Sequence, residues 1–318
     1  MTVLVTGGAG FIGSHLTRAL LASGEPVVCL DNFNDYYPPA RKRANIAPFL
    51  AHPAYTLVEG DIRSAETVHE VFARHRPARV AHLAAMAGIP PSVRDPVLYE
   101  QVNVGGTVQL LKAAAEHGVR TFVLASSSSV YGATTRVPFR EDDPADRPLA
   151  PYAATKRAAE LMAHTYHHLH GLSVIVTRFF NAYGPAVRPD LATAIFVAAV
   201  HRGETLKLRG NVRRDYTYVE DTVAGVMAAL DWTGGYEIVN LGNAHPVSMT
   251  EFIAAIERVV GKPARIEHLP PLPADAPVTY ADLGKAERLL GYRPRTSLAE
   301  GLARTYDWYC QQERAGNA

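Results

Sequence analysis

The chain has 318 residues, 47% hydrophobic and 20% charged, with a formal net charge of +1. That is enough for a sizeable core in one large domain or two smaller ones. The balanced charge excludes a broad pull towards nucleic acid or an anionic membrane, so an anionic ligand must be met by local groups.

The chain opens on a β-branched run, MTVLVTG, with no charged leader, and no apolar run approaches the roughly 18–20 residues of a membrane span. Cys29 and Cys310 match no metal or redox spacing and read as thiols of a reducing compartment. The expectation is a cytoplasmic protein with no nucleic-acid or membrane partner. Strands are predicted at 2–6, 26–30, 55–59, 79–83, 120–125 and 173–178. Helices are predicted at 12–23, 65–74, 98–117 and 151–170, and Gly24, Gly118 and Gly171 follow three of them as C′ glycines do. This alternation predicts an α/β fold, a doubly wound parallel sheet covered on both faces. After Arg178 the rhythm breaks. A helix at 221–230 and a strand at 237–241 can rejoin the sheet, and the proline-rich stretch 262–281 reads as irregular connections. The expected division is a cofactor domain over 1–180, rejoined by 215–245, and a smaller substrate-binding region over 181–214 and 246–318.

Between the first strand and the first helix lies Gly7-Gly8-Ala9-Gly10-Phe11-Ile12-Gly13. Gly7, Gly10 and Gly13 let the backbone turn tightly and approach a pyrophosphate, while the helix N-terminus supplies amide donors. Asp31 ends the second strand, where a carboxylate accepts hydrogen bonds from ribose hydroxyls and repels a 2′-phosphate, so NAD is favoured over NADP. Asp61-Ile62 follows the third strand and reads either as an adenine-side pair or as a helix cap.

Pro151-Tyr152-Ala153-Ala154-Thr155-Lys156 opens a helix, with Pro151 suited to its first position. Tyr152 and Lys156 share one face. A phenol titrates near 10, and a nearby ammonium together with a positive nicotinamide is expected to lower that value. Ser126–Ser129 follow the fifth strand, at the end that faces the ligand crevice, where a hydroxyl can hold a substrate oxygen. The histidines at 164, 167, 168 and 170 and the basic run Arg41-Lys42-Arg43 read as exposed surface, and no metal is expected.

Taken with further segments, these motifs resemble the extended short-chain dehydrogenase/reductase family, and within it the UDP-sugar 4-epimerases. The resemblance covers nearly the whole chain: GGAGFIG at 7–13, DNFNDYY at 31–37, GDIR at 60–63, HLAA at 82–85, NVGGT at 103–107, SSSSVYG at 126–132, YAATK at 152–156, RFFNAYGP at 178–185, RRDYTYVED at 213–221 and LGYRP at 290–294. It implies a Rossmann-type fold and NAD held by the glycine loop with Phe11 and Ile12, by Asp31 and Asn32, by Asp61 and Ile62, and by Leu83, Ala84 and Ala85. It also implies that Ser127 is the catalytic hydroxyl, Tyr152 the general base and Lys156 the lysine on the nicotinamide ribose. Asn103 matches a structural or cofactor-side asparagine. Asn181 and Arg214 match contacts to the sugar diphosphate.

DNFNDYY, RPDLA at 188–192 and PADAPVTYAD at 273–282 are most similar to UDP-glucuronate 4-epimerases. By that likeness Arg188, Ser128 and Ser129 face the sugar carboxylate, and Asp275 lies on the substrate side. Two positions depart: Asn181 stands where uronate epimerases often carry Thr, and Pro90 where they often carry Arg. UDP-glucose or UDP-N-acetylglucosamine is therefore the alternative substrate. Dehydratases and decarboxylases of nucleotide sugars place a glutamate where this chain has Ser129. A non-catalytic NAD-binding regulator would have no need of Ser127, Tyr152 and Lys156 together. The resemblance further implies a homodimer through helices 98–117 and 151–170.

Overall fold

Seven short runs rich in β-branched residues pair side by side, and their order creates the crevice in which the site lies. A computed structural model describes residues 1–270 and 277–315. The runs are β1 (Val3–Thr6), β2 (Val27–Asp31), β3 (Tyr55–Glu59), β4 (Arg79–His82), β5 (Thr121–Ser127), β6 (Val174–Phe179) and β7 (Tyr236–Leu241). They form one sheet in the order β7-β6-β5-β4-β1-β2-β3, and each neighbouring pair is parallel. β1, β2, β4 and β5 are buried along their whole length. Near-continuous burial is what helices on both faces demand.

Alternation along β1 shows the two layers. Val3 and Val5 pack into a core with Leu16 and Leu20 of α1 (Phe11–Ala22) on one face. Leu4 packs on the other face with Val68, Leu110 and Ala159. Those three belong to α2 (Ala65–His75), α3 (Thr107–Glu116) and α4 (Pro151–His170). A further helix, α5 (Val219–Leu230), lies beside α1 and leads back into β7. The chain winds outward from β1 in both directions, so β1 and β4 flank the topological switch point, where the carboxyl ends of strands open a crevice.

Three expectations are corrected. The single helix predicted at 98–117 is interrupted: Pro96–Glu100 is α-helical, Gln101–Gly106 is a π-helical turn, and α3 begins at Thr107. Gly106 explains the close fit there, because a Cβ at this position would lie 2.6 Å from Ile62 Cδ1. The stretch 262–281 is not wholly irregular. Arg265–Leu269 pairs in parallel with Thr205–Arg209, and Val278–Thr279 pairs with the start of Arg213–Tyr218. Pro263 and Pro270 flank the first of these strands and leave its ladder intact. The predicted fifth strand also runs on to Ser127, which brings the serine run into the sheet itself.

Arg213–Tyr218 is the centre of a small second sheet, flanked by Asn181–Tyr183, Pro246–Ser248 and Val278–Thr279. Tyr216 stacks on Phe252 with ring centroids 3.9 Å apart, tying this sheet to helix Met249–Val260. Among the described residues no helix is long and apolar enough to cross a membrane.

Candidate active site

The glycine loop is built by close approaches that side chains would block. Gly7 leaves β1 with φ +69°, and a Cβ there would lie 2.8 Å from Ala84 Cα. A Cβ on Gly13 would lie 2.1 Å from the Gly7 carbonyl oxygen. Gly10 is the N-cap of α1 and brings no capping side chain, so the first amides of the helix form an anion-binding end. These glycines, with Phe11, Ile12, Leu83, Ala84 and Ala85, line one side of a cavity at the carboxyl ends of the strands. A dinucleotide fits here: backbone approaches freely at the loop, and carboxylates lie further along the same wall. Asp31 is buried, and its carboxylate accepts hydrogen bonds from Ala9 N (3.1 Å) and Phe33 N (2.9 Å). Asn32 donates to Asp61 at 2.9 Å, and Arg63 makes two side-chain bonds to the same carboxylate. The hydrogen bond from Arg63 leads the effects that push Asp61 down to about 2. Ser64 rather than Asp61 caps α2, accepting from Thr67 N, and Asp61 and Ile62 line the cavity.

Lys42 corrects the sequence reading of its basic run as solvated surface. It is buried, lines the cavity, and donates to the carbonyl (2.8 Å) and side chain (2.7 Å) of Asn34. Burial lowers its pKa, and Asp31 opposes that shift. The sequence signal was present only as the helix Pro39–Ile46, whose inner face is not evident without the fold.

α4 starts with Pro151 in its first turn and turns Tyr152 and Lys156 into the same cavity. Lys156 Nζ donates to the Ala125 carbonyl at 2.7 Å. Burial pulls its pKa down to about 8, with Glu160 opposing. Tyr152 faces Ser127, the last residue of β5, whose side chain favours the phenolate. In the protein alone the charge that favours the phenolate is that of Arg188 rather than of Lys156. Burial raises it above its ordinary value, and Ser127 and the Arg188 charge only partly oppose this. A positively charged ring brought against Tyr152 would add to the Arg188 charge in favouring phenolate.

Ser127 Oγ donates to Ser129 Oγ and accepts from Ser129 N, both at 3.1 Å. Ser128 and Ser129 open the 3₁₀ turn that follows, and Ser126 lines the cavity while its hydroxyl donates to Glu160 at 2.6 Å. Asn103 sits in the π turn, accepts from Met86 N (2.8 Å) and donates to Met86 O (2.9 Å) and Thr155 Oγ1 (3.1 Å). It braces the cavity wall against α4.

Arg188 lines the cavity beside Tyr152, with its guanidinium paired in two bonds to Asp190 (3.0 and 2.8 Å). Asn181 and Arg214 stand apart on the small sheet: Asn181 is paired in register with Tyr216, two residues after Arg214. Between them in sequence Asp215 is fully buried and accepts from the amides of Asn243, Ala244 and Ala281. Asp275 lies outside the described residues. His164 packs edge-on against Tyr236 and His167 bonds the Leu172 carbonyl; among the described residues no cluster could hold a metal.

Comparison with known proteins places this geometry. Residues 3–242 match the model of the NAD dependent epimerase/dehydratase family. The chain is 41% identical over 308 residues to the UDP-glucuronate 4-epimerase of Thermodesulfobacterium geofontis, covering 96% of this chain and 95% of that one. Its structure superimposes on that of UDP-glucuronic acid 4-epimerase from Bacillus cereus in complex with UDP-glucuronic acid and NAD, with a TM-score of 0.92, 34% identity, and 98% and 99% of the two chains covered. It is similar also to UDP-glucose 4-epimerase with UDP-glucose from Thermotoga maritima, with a TM-score of 0.91, 31% identity, and 98% and 100% covered. Cradle, carboxylates and the Tyr–Lys face thus meet in a chain that belongs to the NAD dependent epimerase/dehydratase family.

Proposed function

We propose that this protein is an NAD-dependent UDP-sugar 4-epimerase that interconverts UDP-glucuronate and UDP-galacturonate. The observation that carries the reading is the single cavity that joins the glycine cradle at one end to Tyr152 and Lys156 at the other, with Ser127 at the end of the adjoining strand. NAD, held by the glycine loop, Asp31 and Lys156, would supply reversible hydride acceptance at C4. Tyr152 as phenolate accepts the proton of the 4-hydroxyl, with Ser127 holding the same oxygen, so that hydride and proton together leave a 4-keto sugar. The sugar turns about its link to the diphosphate and presents its other face. Tyr152 then returns the proton as the hydride returns, and no net oxidation occurs.

Lys156, fixed on the Ala125 carbonyl, supports the ribose end of the cofactor and adds positive charge. Lys42 supplies a cation along the cofactor's path. Asn181 and Arg214 hold the diphosphate from the small sheet, and a guanidinium suits phosphate oxygens. Remote binding of the nucleotide anchors the substrate while the sugar stays free to turn. Arg188, Ser128 and Ser129 serve the sugar carboxylate, and Asp275 belongs to the same side. The cofactor work falls to 1–180 with 215–245, and substrate binding to 181–214 and 246–318. Asn181 favours the second reading, a neutral UDP-hexose as substrate. A homodimer fits the exposed apolar residues Ile89, Val93, Val97 and Leu161, and a cytoplasmic location fits the two unpaired thiols.

The test is incubation of the NAD-loaded protein with UDP-glucuronate and UDP-glucose, with products followed by proton NMR. The expected product is the C4 epimer with its carbon count unchanged. Loss of carbon dioxide, or NADH accumulating in step with sugar consumed, overturns the reading.

A further inference from the structure

We infer that Asp190 is a specificity-determining residue that holds down the site's preference for an anionic sugar by occupying Arg188. This rests on the reading above, in which the sugar ring reaches Tyr152. Arg188 is the guanidinium in the cavity wall whose charge is felt at the Tyr152 phenol. Of its five N–H donors, Nε–H and one on Nη2 are already spent on Asp190, at 3.0 and 2.8 Å. The two residues are separated only by Pro189, so the pair belongs to one short loop. A second wall secures it: the hydroxyl of Tyr36, from the segment after β2, donates to Asp190 Oδ2 at 3.1 Å. The Tyr36 ring also lies 5.4 Å from the Arg188 guanidinium.

A sugar carboxylate arriving beside Tyr152 therefore meets a cation that already has a carboxylate. It must share the fork with Asp190 or displace it. Both routes set two anions against each other across one guanidinium, and both become easier when the Asp190 charge is removed. A neutral sugar feels neither. Asp190 has 34% of its side chain exposed, so its replacement opens no buried hole. Asparagine keeps its size and an oxygen for Tyr36 while removing the charge.

The experiment titrates NAD-loaded wild type and Asp190→Asn calorimetrically with UDP-glucuronate and with UDP-glucose, and measures turnover of both sugars on the same samples. The expected result is that the ratio of the uronate Kd to the neutral-sugar Kd falls about three- to tenfold in the variant, less so at high salt. An unchanged ratio, including one in which both Kd values move together, overturns the inference and assigns Asp190 a purely structural role. Asp190→Ala, read in the same way, serves if the asparagine variant does not fold. Absence of turnover in wild type would count against the epimerase reading alone, since the Kd ratio reports on Asp190 without chemistry.

Discussion

Replacing Glu160 by glutamine should remove a large part of the fold's stability. Glu160 is fully buried, and its carboxylate accepts two bonds from Arg178 (2.9 and 2.8 Å), one from Ser126 (2.6 Å) and one from Arg157 (2.8 Å). Arg178 is 1% exposed, and its Nη1 has no hydrogen-bond partner among the described residues. Glutamine keeps the shape and leaves that guanidinium as an uncompensated buried cation, which costs about 3–5 kcal/mol. Arg157 is 29% exposed and adds little. Against a total stability of about 5–15 kcal/mol the loss is severe. Urea unfolding followed by circular dichroism reads it. At an m of about 3 kcal/mol/M the midpoint falls by about 1–1.7 M, with m itself unchanged. The double variant Glu160→Leu/Arg178→Met should lose less than the sum of its single variants, because no charge is stranded. Burial raises the Glu160 pKa, but the bonds from Arg178 and Ser126 outweigh it, so its folded value lies below the ordinary one. Its contribution is therefore complete above the unfolded carboxyl pKa of about 4.3 and is lost as pH falls through the folded value. A midpoint shift under about 0.3 M, or an acid profile of Glu160→Gln parallel to wild type, would refute the reasoning.

Three further predictions concern the cavity. Tyr152→Phe removes the phenolic oxygen and keeps the ring, so turnover should fall by several orders of magnitude while UDP binding, read by calorimetry, persists; near-normal epimerisation would remove the assigned role. Gly13→Ala forces a methyl group to 2.1 Å from the Gly7 oxygen, so the loop must shift and NAD carried through purification should drop sharply. Gly105→Ala, whose Cβ would meet nothing within 4 Å, is the matched control, and equal NAD content in the two variants would contradict the cradle argument. Lys42→Met keeps the stem and removes the ammonium from the cavity wall, so NAD affinity should fall about tenfold in a fluorescence titration; an unchanged Kd would place Lys42 outside the cofactor site.

The parts legible in the sequence are those whose cause is local. The glycine spacing reports a backbone that must come close to itself, and Gly7 and Gly13 do so within the same few residues. Tyr152 and Lys156 share a face by helical period alone. What stayed illegible depends on how loops fold back and on what becomes buried, neither of which has a sequence period. Lys42 looked like one of three surface cations until its helix packed against the segment after β2, where Asn34 takes its charge. Nothing in RPDLA showed that the loop would fold Arg188 onto Asp190. Burial of the phenol, the largest effect on its pKa in the protein alone, could not be read from the Tyr–Lys spacing. The π turn at Gln101–Gly106 left a hint in Gly105 and Gly106, but its reason lies in Ile62 and Met86, on other strands' loops.

The same geometry couples the stability of the fold to its chemistry. Tyr152, Lys156 and Glu160 stand one turn apart on α4 and meet three consecutive residues of β5. Glu160 takes the Ser126 hydroxyl, Lys156 takes the Ala125 carbonyl, and Tyr152 meets Ser127. A slide of the helix by one residue, a rise of about 1.5 Å, would break all three contacts at once. The phenol is thus held in register by a buried ion pair two turns away that does not line the cavity. Substitutions at Arg178 or Glu160 that survive folding should therefore lower kcat more than they change UDP affinity, because they loosen the strand end that carries Ser127 and leave the small sheet with Asn181 and Arg214 in place. An equal loss in both would mean that α4 and β5 do not act as one unit.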